Sequence, residues 1–160
     1  MTQNPPAPAS RRTRWFVLTA VSLGLLLATV DTSILYVVVP FLTDELSASV
    51  SESLWIINMY PLVMTGLLLG TGTLGDRFGH KLVFQIGISA FAIASLLAAF
   101  SPNAWVLIVA RALLAVGAAL MLPATLAIIR FTFEDEDERN VAIAVWSSVS
   151  IGGIAFVTGR

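Results

Sequence analysis

Charged side chains in this sequence fall into a few short clusters, separated by uncharged stretches over residues 53–75, 82–110, 112–129 and 140–159. A bilayer core about 30 Å thick is crossed by about 20 predominantly apolar helical residues. The pattern therefore predicts an all-α integral membrane fold with five transmembrane helices, at about 15–39, 53–74, 82–100, 104–129 and 140–159. The third and fourth share one uncharged stretch, and Ser101-Pro102-Asn103 is the natural break in it, because proline removes a backbone donor and pushes its predecessor out of the helical region. Residues 1–14, with Pro5, Pro6 and Pro8 among small and polar side chains, read as a disordered tail ahead of a membrane domain over 15–160. Ser10-Arg11-Arg12 resembles a twin-arginine export signal. The apolar run behind it is too long, carries Asp31, lacks an A-x-A cleavage site and leads into further spans, so an uncleaved first helix is the better reading.

Composition agrees with the pattern. The chain of 160 residues is 57% hydrophobic and 12% charged, against about 45–50% and about 25% in soluble proteins. A net charge of −1 provides no basic field to recruit nucleic acid. The absence of cysteine excludes disulfides and thiolate metal sites, and a single histidine makes a zinc centre improbable. With the N-terminus inside, Arg11, Arg12, Arg14, Arg77, Lys81, Arg130 and Arg139 all fall on the cytoplasmic side, whereas the two complete outer loops carry no Lys or Arg. The positive-inside rule selects that orientation. The acidic run from Glu134 to Glu138 reads as a solvated inner loop; it lacks the ligand spacing and mid-loop glycine of a calcium-binding EF-hand.

Gly70-Thr71-Gly72-Thr73-Leu74-Gly75 satisfies the dinucleotide fingerprint G-x-G-x-x-G. Those glycines serve a cofactor only between a strand and a helix, with an acidic residue about 20 positions on. Here they end an apolar helix, and no acidic residue lies between Asp76 and Glu134. The expectation is no enzyme and no cofactor. Gly66 and Gly70 instead form a G-x-x-x-G that lets membrane helices approach closely.

Asp31 and Arg111 are the ionisable residues set well inside spans, where each costs about 2.5–3.5 kcal/mol on insertion scales. At 1.5 Å per residue, Asp31 lies about 13 Å below the outer end of the first span and Arg111 about 10 Å below that of the fourth. Matched depth predicts that these helices are neighbours and that the two groups face a common polar cavity. One reading makes Asp31 a proton-binding carboxylate tuned by Arg111 and by its dry surroundings; the other makes the two a permanent ion pair that fixes helix register. Ala115, Ala118 and Ala119 follow Arg111 on one helical face, a thin surface suited to a cavity or to a closely approaching helix.

Gly72-Thr73-Leu74-Gly75-Asp76-Arg77-Phe78-Gly79-His80-Lys81 resembles the G-x-L-G-D-R-x-G-R-K signature between spans 2 and 3 of the major facilitator superfamily. Locally, Gly75 and Gly79 permit a tight turn, Asp76 is positioned to accept from helix N-terminal donors, and Arg77 with Lys81 anchors the cytoplasmic face. His80 replaces the usual basic residue. Asp31 to Pro40 resembles the span 1 motif D-x-T-I-V-N-V-A-L-P of the fourteen-span drug/proton antiporter branch, with Ser33 and Tyr36 departing from it. Arg111 to Ala119 is similar to that branch's R-x-x-x-G-x-G-A-A, with Ala115 at the first glycine. Leu54 to Val63 resembles exporters of quaternary ammonium compounds and methyl viologen, in which an Asp often stands at the position of Asn58.

The resemblance runs from about Trp15 to Phe156. It implies part of a proton-coupled multidrug efflux transporter of the bacterial cytoplasmic membrane, exporting organic cations. In it, Asp31 and Arg111 would couple protons, and Gly72, Gly75, Asp76, Arg77, Gly79 and Lys81 would form the cytoplasmic gate. Trp55, Asn58 and Tyr60 are candidate substrate contacts, although an interfacial anchor is an equal reading of Trp55. Superfamily transporters have two six-span halves, so five spans predict a truncated N-terminal piece, inactive alone, that needs a complementary C-terminal half. The alternative is a stand-alone five-helix membrane protein that binds a partner without transporting.

Overall fold

The computed structural model describes residues 11–133 and 135–158. Among them are five helices: α1 (Arg11–Glu45), α2 (Val50–Phe78), α3 (His80–Ala99), α4 (Ala104–Thr132) and α5 (Glu136–Thr158). The first four contain stretches long and apolar enough to cross a membrane. Each of those four begins at or before its predicted span. α1 covers Arg11–Arg14, which the sequence pattern assigns to the tail; the first ten residues of that tail, and Gly159 at the end of the fifth predicted span, lie outside the described residues. The helices outrun their apolar stretches because caps and water-facing turns need no apolar residues.

Local chemistry explains the ends. Ser49 and Glu52 form a capping box at the start of α2: the Glu52 carboxylate accepts from the Ser49 backbone N–H at 2.8 Å and hydroxyl at 2.7 Å, while Ser49 Oγ accepts from the Glu52 N–H at 3.3 Å. Gly79 alone separates α2 from α3 at φ +91°, a conformation that favours glycine. The predicted break at Ser101–Asn103 is where α3 gives way to α4, and Asn103 Oδ1 caps α4 by accepting from the Val106 N–H at 3.0 Å. The acidic run is not a free loop. Asp135 Oδ1 accepts from the N–H groups of Asp137 and Glu138, both at 3.0 Å, and Glu136–Glu138 form the first turn of α5, where negative charge complements the helix dipole.

Helix α4 is the centre of the assembly, with α1, α2 and α3 packed around it and α5 lying mainly along α1. Its small residues make this possible. Ala115, Ala118 and Ala119 are fully buried, and a Cβ on Gly117 would meet Phe91 N at 2.8 Å and Gly87 O at 2.9 Å, so α3 and α4 touch backbone to backbone. The thin face beyond Arg111 thus serves helix approach. At the basic end, Leu18, Val21, Ile128, Ile129, Phe133 and Ala142 form one apolar cluster. Arg14 Nη1 and Glu138 Oε2 pair at 2.9 Å beside it, joining the beginnings of α1 and α5.

A candidate proton and substrate site between helices α1, α2 and α4

Asp31 and Arg111 meet. Arg111 Nη1 donates to Asp31 Oδ2 at 2.8 Å, with the arginine 2% exposed and the aspartate half-buried. A guanidinium remains charged in any protein environment, so burial on this scale is tolerable only with a counter-charge at hydrogen-bond distance. Tyr60 of α2 supplies a third contact, its ring lying 4.6 Å from Arg111 Cζ, within cation–π range. Three helices thereby converge on one guanidinium.

Beside this cluster is a cavity of about 820 Å³. One face of α1 lines it with Leu25, Ala28, Thr29, Thr32, Ser33 and Val37; one face of α2 does so with Ile57, Tyr60, Pro61, Met64, Thr65 and Leu68; Arg111 and Leu122 come from α4. A volume in the range of ligand pockets, mostly apolar walls and a few polar groups are what a small-molecule site requires.

Of the three candidate substrate contacts, Tyr60 lines the cavity, whereas Trp55 and Asn58 are exposed on α2 and absent from its lining. Helix geometry explains the separation: two residues turn the helix about 200°, so Asn58 and Tyr60 point to opposite sides, while Trp55 and Asn58, three apart, share one. Sequence reasoning missed the hydroxyl residues. Thr29, Thr32 and Ser33 stand at i, i+3 and i+4 inside an apolar run, a spacing that puts them on one face, and that pattern was the available signal.

The turn between α2 and α3 is a second, separate cluster. Gly72 has open space where a side chain would be, and Asp76, Arg77 and Lys81 are exposed. Asp76 lies in the last turn of α2, and its Oδ1 is 3.4 Å from His80 Nε2; its partner is this ring rather than backbone donors. His80 stacks on Phe131 at 5.6 Å, and a Cβ on Gly75 would collide with its Nδ1. Gly75 is therefore small because the histidine ring lies against it. Among the described residues, no group of three or more His, Cys, Asp or Glu side chains could hold a metal ion.

Comparison with known proteins agrees with this architecture. A family profile described as Major Facilitator Superfamily matches residues 21–159. The chain is 48% identical over 143 residues to the methyl viologen resistance protein SmvA of Salmonella typhimurium, covering 89% of this chain and 29% of that protein. It is 40% identical over 151 residues to the multidrug efflux pump LfrA of Mycolicibacterium smegmatis, covering 92% and 30%. It is 35% identical over 144 residues to the tetracenomycin C resistance and export protein of Streptomyces glaucescens, covering 90% and 27%. The chain spans less than a third of the length of each of these relatives.

Proposed function

The chain belongs to the major facilitator superfamily, a family of transporters rather than enzymes, and from that premise we propose that it is the N-terminal part of a proton-coupled multidrug efflux transporter exporting organic cations. The observation that carries this reading is the buried Arg111–Asp31 pair at 2.8 Å beside the cavity between α1, α2 and α4. Support for drug export comes from the names of the relatives, among them a methyl viologen resistance protein and a multidrug efflux pump. Methyl viologen is itself an organic dication.

In this reading residues 15–160 form five spans of the transporter domain, with α5 as the fifth and the N-terminus cytoplasmic. Asp31 binds a proton in one state and is ionised and paired with Arg111 in the other. When Asp31 is ionised, the guanidinium neutralises it; when Asp31 binds a proton, Arg111 retains its charge and its contact with the Tyr60 ring, and an incoming cation is repelled. A bound proton and a bound cation are then exclusive occupants of one polar cluster, so that proton entry accompanies cation departure, which is what antiport requires. Gly72, Gly75, Asp76, Arg77, Gly79 and Lys81 act at the cytoplasmic gate, where the single-residue turn at Gly79 ties α2 to α3.

A complementary half completes the cavity. Helix α2 favours such a partner, because Leu62 and Leu69 are exposed and a Cβ on Gly66 or Gly70 would meet nothing within 4 Å. The same open face suits the second reading, a five-helix protein that binds a partner without moving solute.

Asp31→Asn in the full-length transporter carrying this segment tests the proposal. Dye efflux and proton flux, measured together in everted vesicles, should lose their coupling. Unaltered stoichiometry would reduce the Asp31–Arg111 pair to a helix-register device.

A further inference from the structure

Resting on the proton-coupling reading and deepening it, we infer that Thr32 is a positioning residue for the Asp31–Arg111 pair: by accepting the Tyr60 phenol proton it holds the tyrosine ring over the guanidinium, and so sets how readily Asp31 takes up a proton. Thr32 follows Asp31 directly on α1 and lines the same cavity. Its own hydroxyl proton goes to the Ala28 carbonyl at 3.0 Å, which leaves the oxygen lone pairs to accept with. Tyr60 of α2 is hydrogen-bonded to that hydroxyl, so the phenol donates and Thr32 Oγ1 accepts. The ring itself is buried, in one apolar cluster with Ala28, Leu114 and Ala115. Packing and hydrogen bond together hold it 4.6 Å from Arg111 Cζ.

The guanidinium depends on that ring. Arg111 Nη1 donates to Asp31, and Nε, buried, has no hydrogen-bond partner. While Asp31 is ionised, its charge compensates the cation. Protonation removes the counter-charge and leaves a buried guanidinium that cannot shed its own proton, and the electron-rich face of the ring is then its electrostatic support. A phenol that donates a hydrogen bond pushes electron density into its ring, so Thr32 strengthens this face as well as aiming it. The better the support, the less it costs to protonate Asp31.

The charged and titratable groups of the cluster are Asp31 from α1, Tyr60 from α2 and Arg111 from α4; among the described residues, α3 and α5 bring no charge to it. Thr32 thus ties α1 to α2 beside the point where Asp31 ties α1 to α4. A movement of α2 along α1 that breaks the Tyr60–Thr32 hydrogen bond withdraws the ring and favours release of the proton. Thr32→Val keeps the shape of the side chain and removes the acceptor. The buried phenol must then turn to find another, and the ring turns with it.

The first test uses the chain itself in detergent micelles, in a Tyr36→Phe background that leaves Tyr60 as the one tyrosine. The NMR shift of ¹³Cζ-labelled tyrosine, followed against pH, should show a titration that Asp31→Asn abolishes. Thr32→Val should move its midpoint to lower pH by about 0.5–1 unit, the equivalent of a desolvated cation–π contact, and Thr32→Ser should restore it. The second test follows proton release from the full-length transporter carrying this segment when tetraphenylphosphonium is added, read with a pH-indicator dye. Thr32→Val should move its pH midpoint in the same direction, and the move should vanish in a Tyr60→Phe background, where Thr32 has no phenol to hold. Should Thr32→Val fail to accumulate, Thr32→Ala provides the same comparison. A midpoint unmoved by loss of the hydroxyl, or a move that persists in the Tyr60→Phe background, overturns the inference while leaving proton coupling intact. A parent with no Asp31-dependent titration and no proton release overturns the proton-coupling reading instead.

Discussion

Arg111 and Asp31 stand 80 residues apart in the chain and 2.8 Å apart in space, the arginine on the central helix and the aspartate midway along α1. The contact joins the two helices by charge with the arginine buried, and it has an energetic signature.

Removing one partner strands the other. Arg111→Met should destabilise the chain by about 3–5 kcal/mol, as should Asp31→Leu, whereas the two combined should cost far less than the sum, because a well-packed apolar pair replaces a desolvated ionic one. Denaturant titration of the protein in detergent micelles, followed by circular dichroism, gives the cycle. Additive effects would mean that the two groups do not sense each other.

Tyr60 is buried with its ring against the guanidinium. Tyr60→Phe keeps a ring over the guanidinium and should cost less than Tyr60→Leu, which should lose about 1–2 kcal/mol from the desolvated cation–π contact. The difference should vanish in an Arg111→Met background, which separates the ring's effect on charge from its effect on volume.

Glycines divide into two classes. Gly117→Ala and Gly87→Ala drive a methyl into backbone on the facing helix and should cost about 1–3 kcal/mol. Gly66→Ala and Gly70→Ala meet open space and should be neutral or stabilising by up to about 1 kcal/mol through helix propensity. Thermal unfolding of the four variants under one detergent condition ranks them.

At the start of α2, hydrogen bonds from the Ser49 hydroxyl and backbone N–H hold the Glu52 carboxyl below its ordinary value of 4.5. A carboxylate whose pKa is lower when folded contributes its stabilisation above the ordinary value and loses it as pH falls through the lowered one. Hydrogen-exchange protection of the Glu52 and Ser53 amides, corrected for intrinsic rates, should be intact at about pH 6 and should fall only once pH drops below the ordinary value of 4.5. Ser49→Ala should remove the pH dependence and lower protection throughout.

Much of this arrangement was legible in the sequence because lipid imposes simple arithmetic. Charges sparse enough to leave runs of 20 residues mark the helices, Pro102 marks the break between α3 and α4, and counting residues from the outer ends gives Asp31 and Arg111 matching depths. Azimuth was less accessible. Helix α2 is apolar nearly all round, so hydropathy does not say which side faces the cavity, and Tyr60 was grouped with Trp55 and Asn58 though the helical repeat sends them to different sides. Near Glu136 a helix start and a solvated loop share a composition; the difference lies in the Asp135 side chain, which accepts two backbone N–H groups. The hydroxyl wall escaped notice because Thr and Ser inside an apolar run look like dilution until their carbonyl acceptors are known.

The 35 residues of α1 make a rod about 52 Å tall, set in a hydrocarbon slab of about 30 Å. Such a rod must lean or stand proud of the headgroups, and which it does depends on the thickness of the surrounding lipid. Lengthening or shortening the acyl chains therefore changes how far Asp31 sits from the aqueous phase, making lipid composition an external dial on the acid at its midpoint.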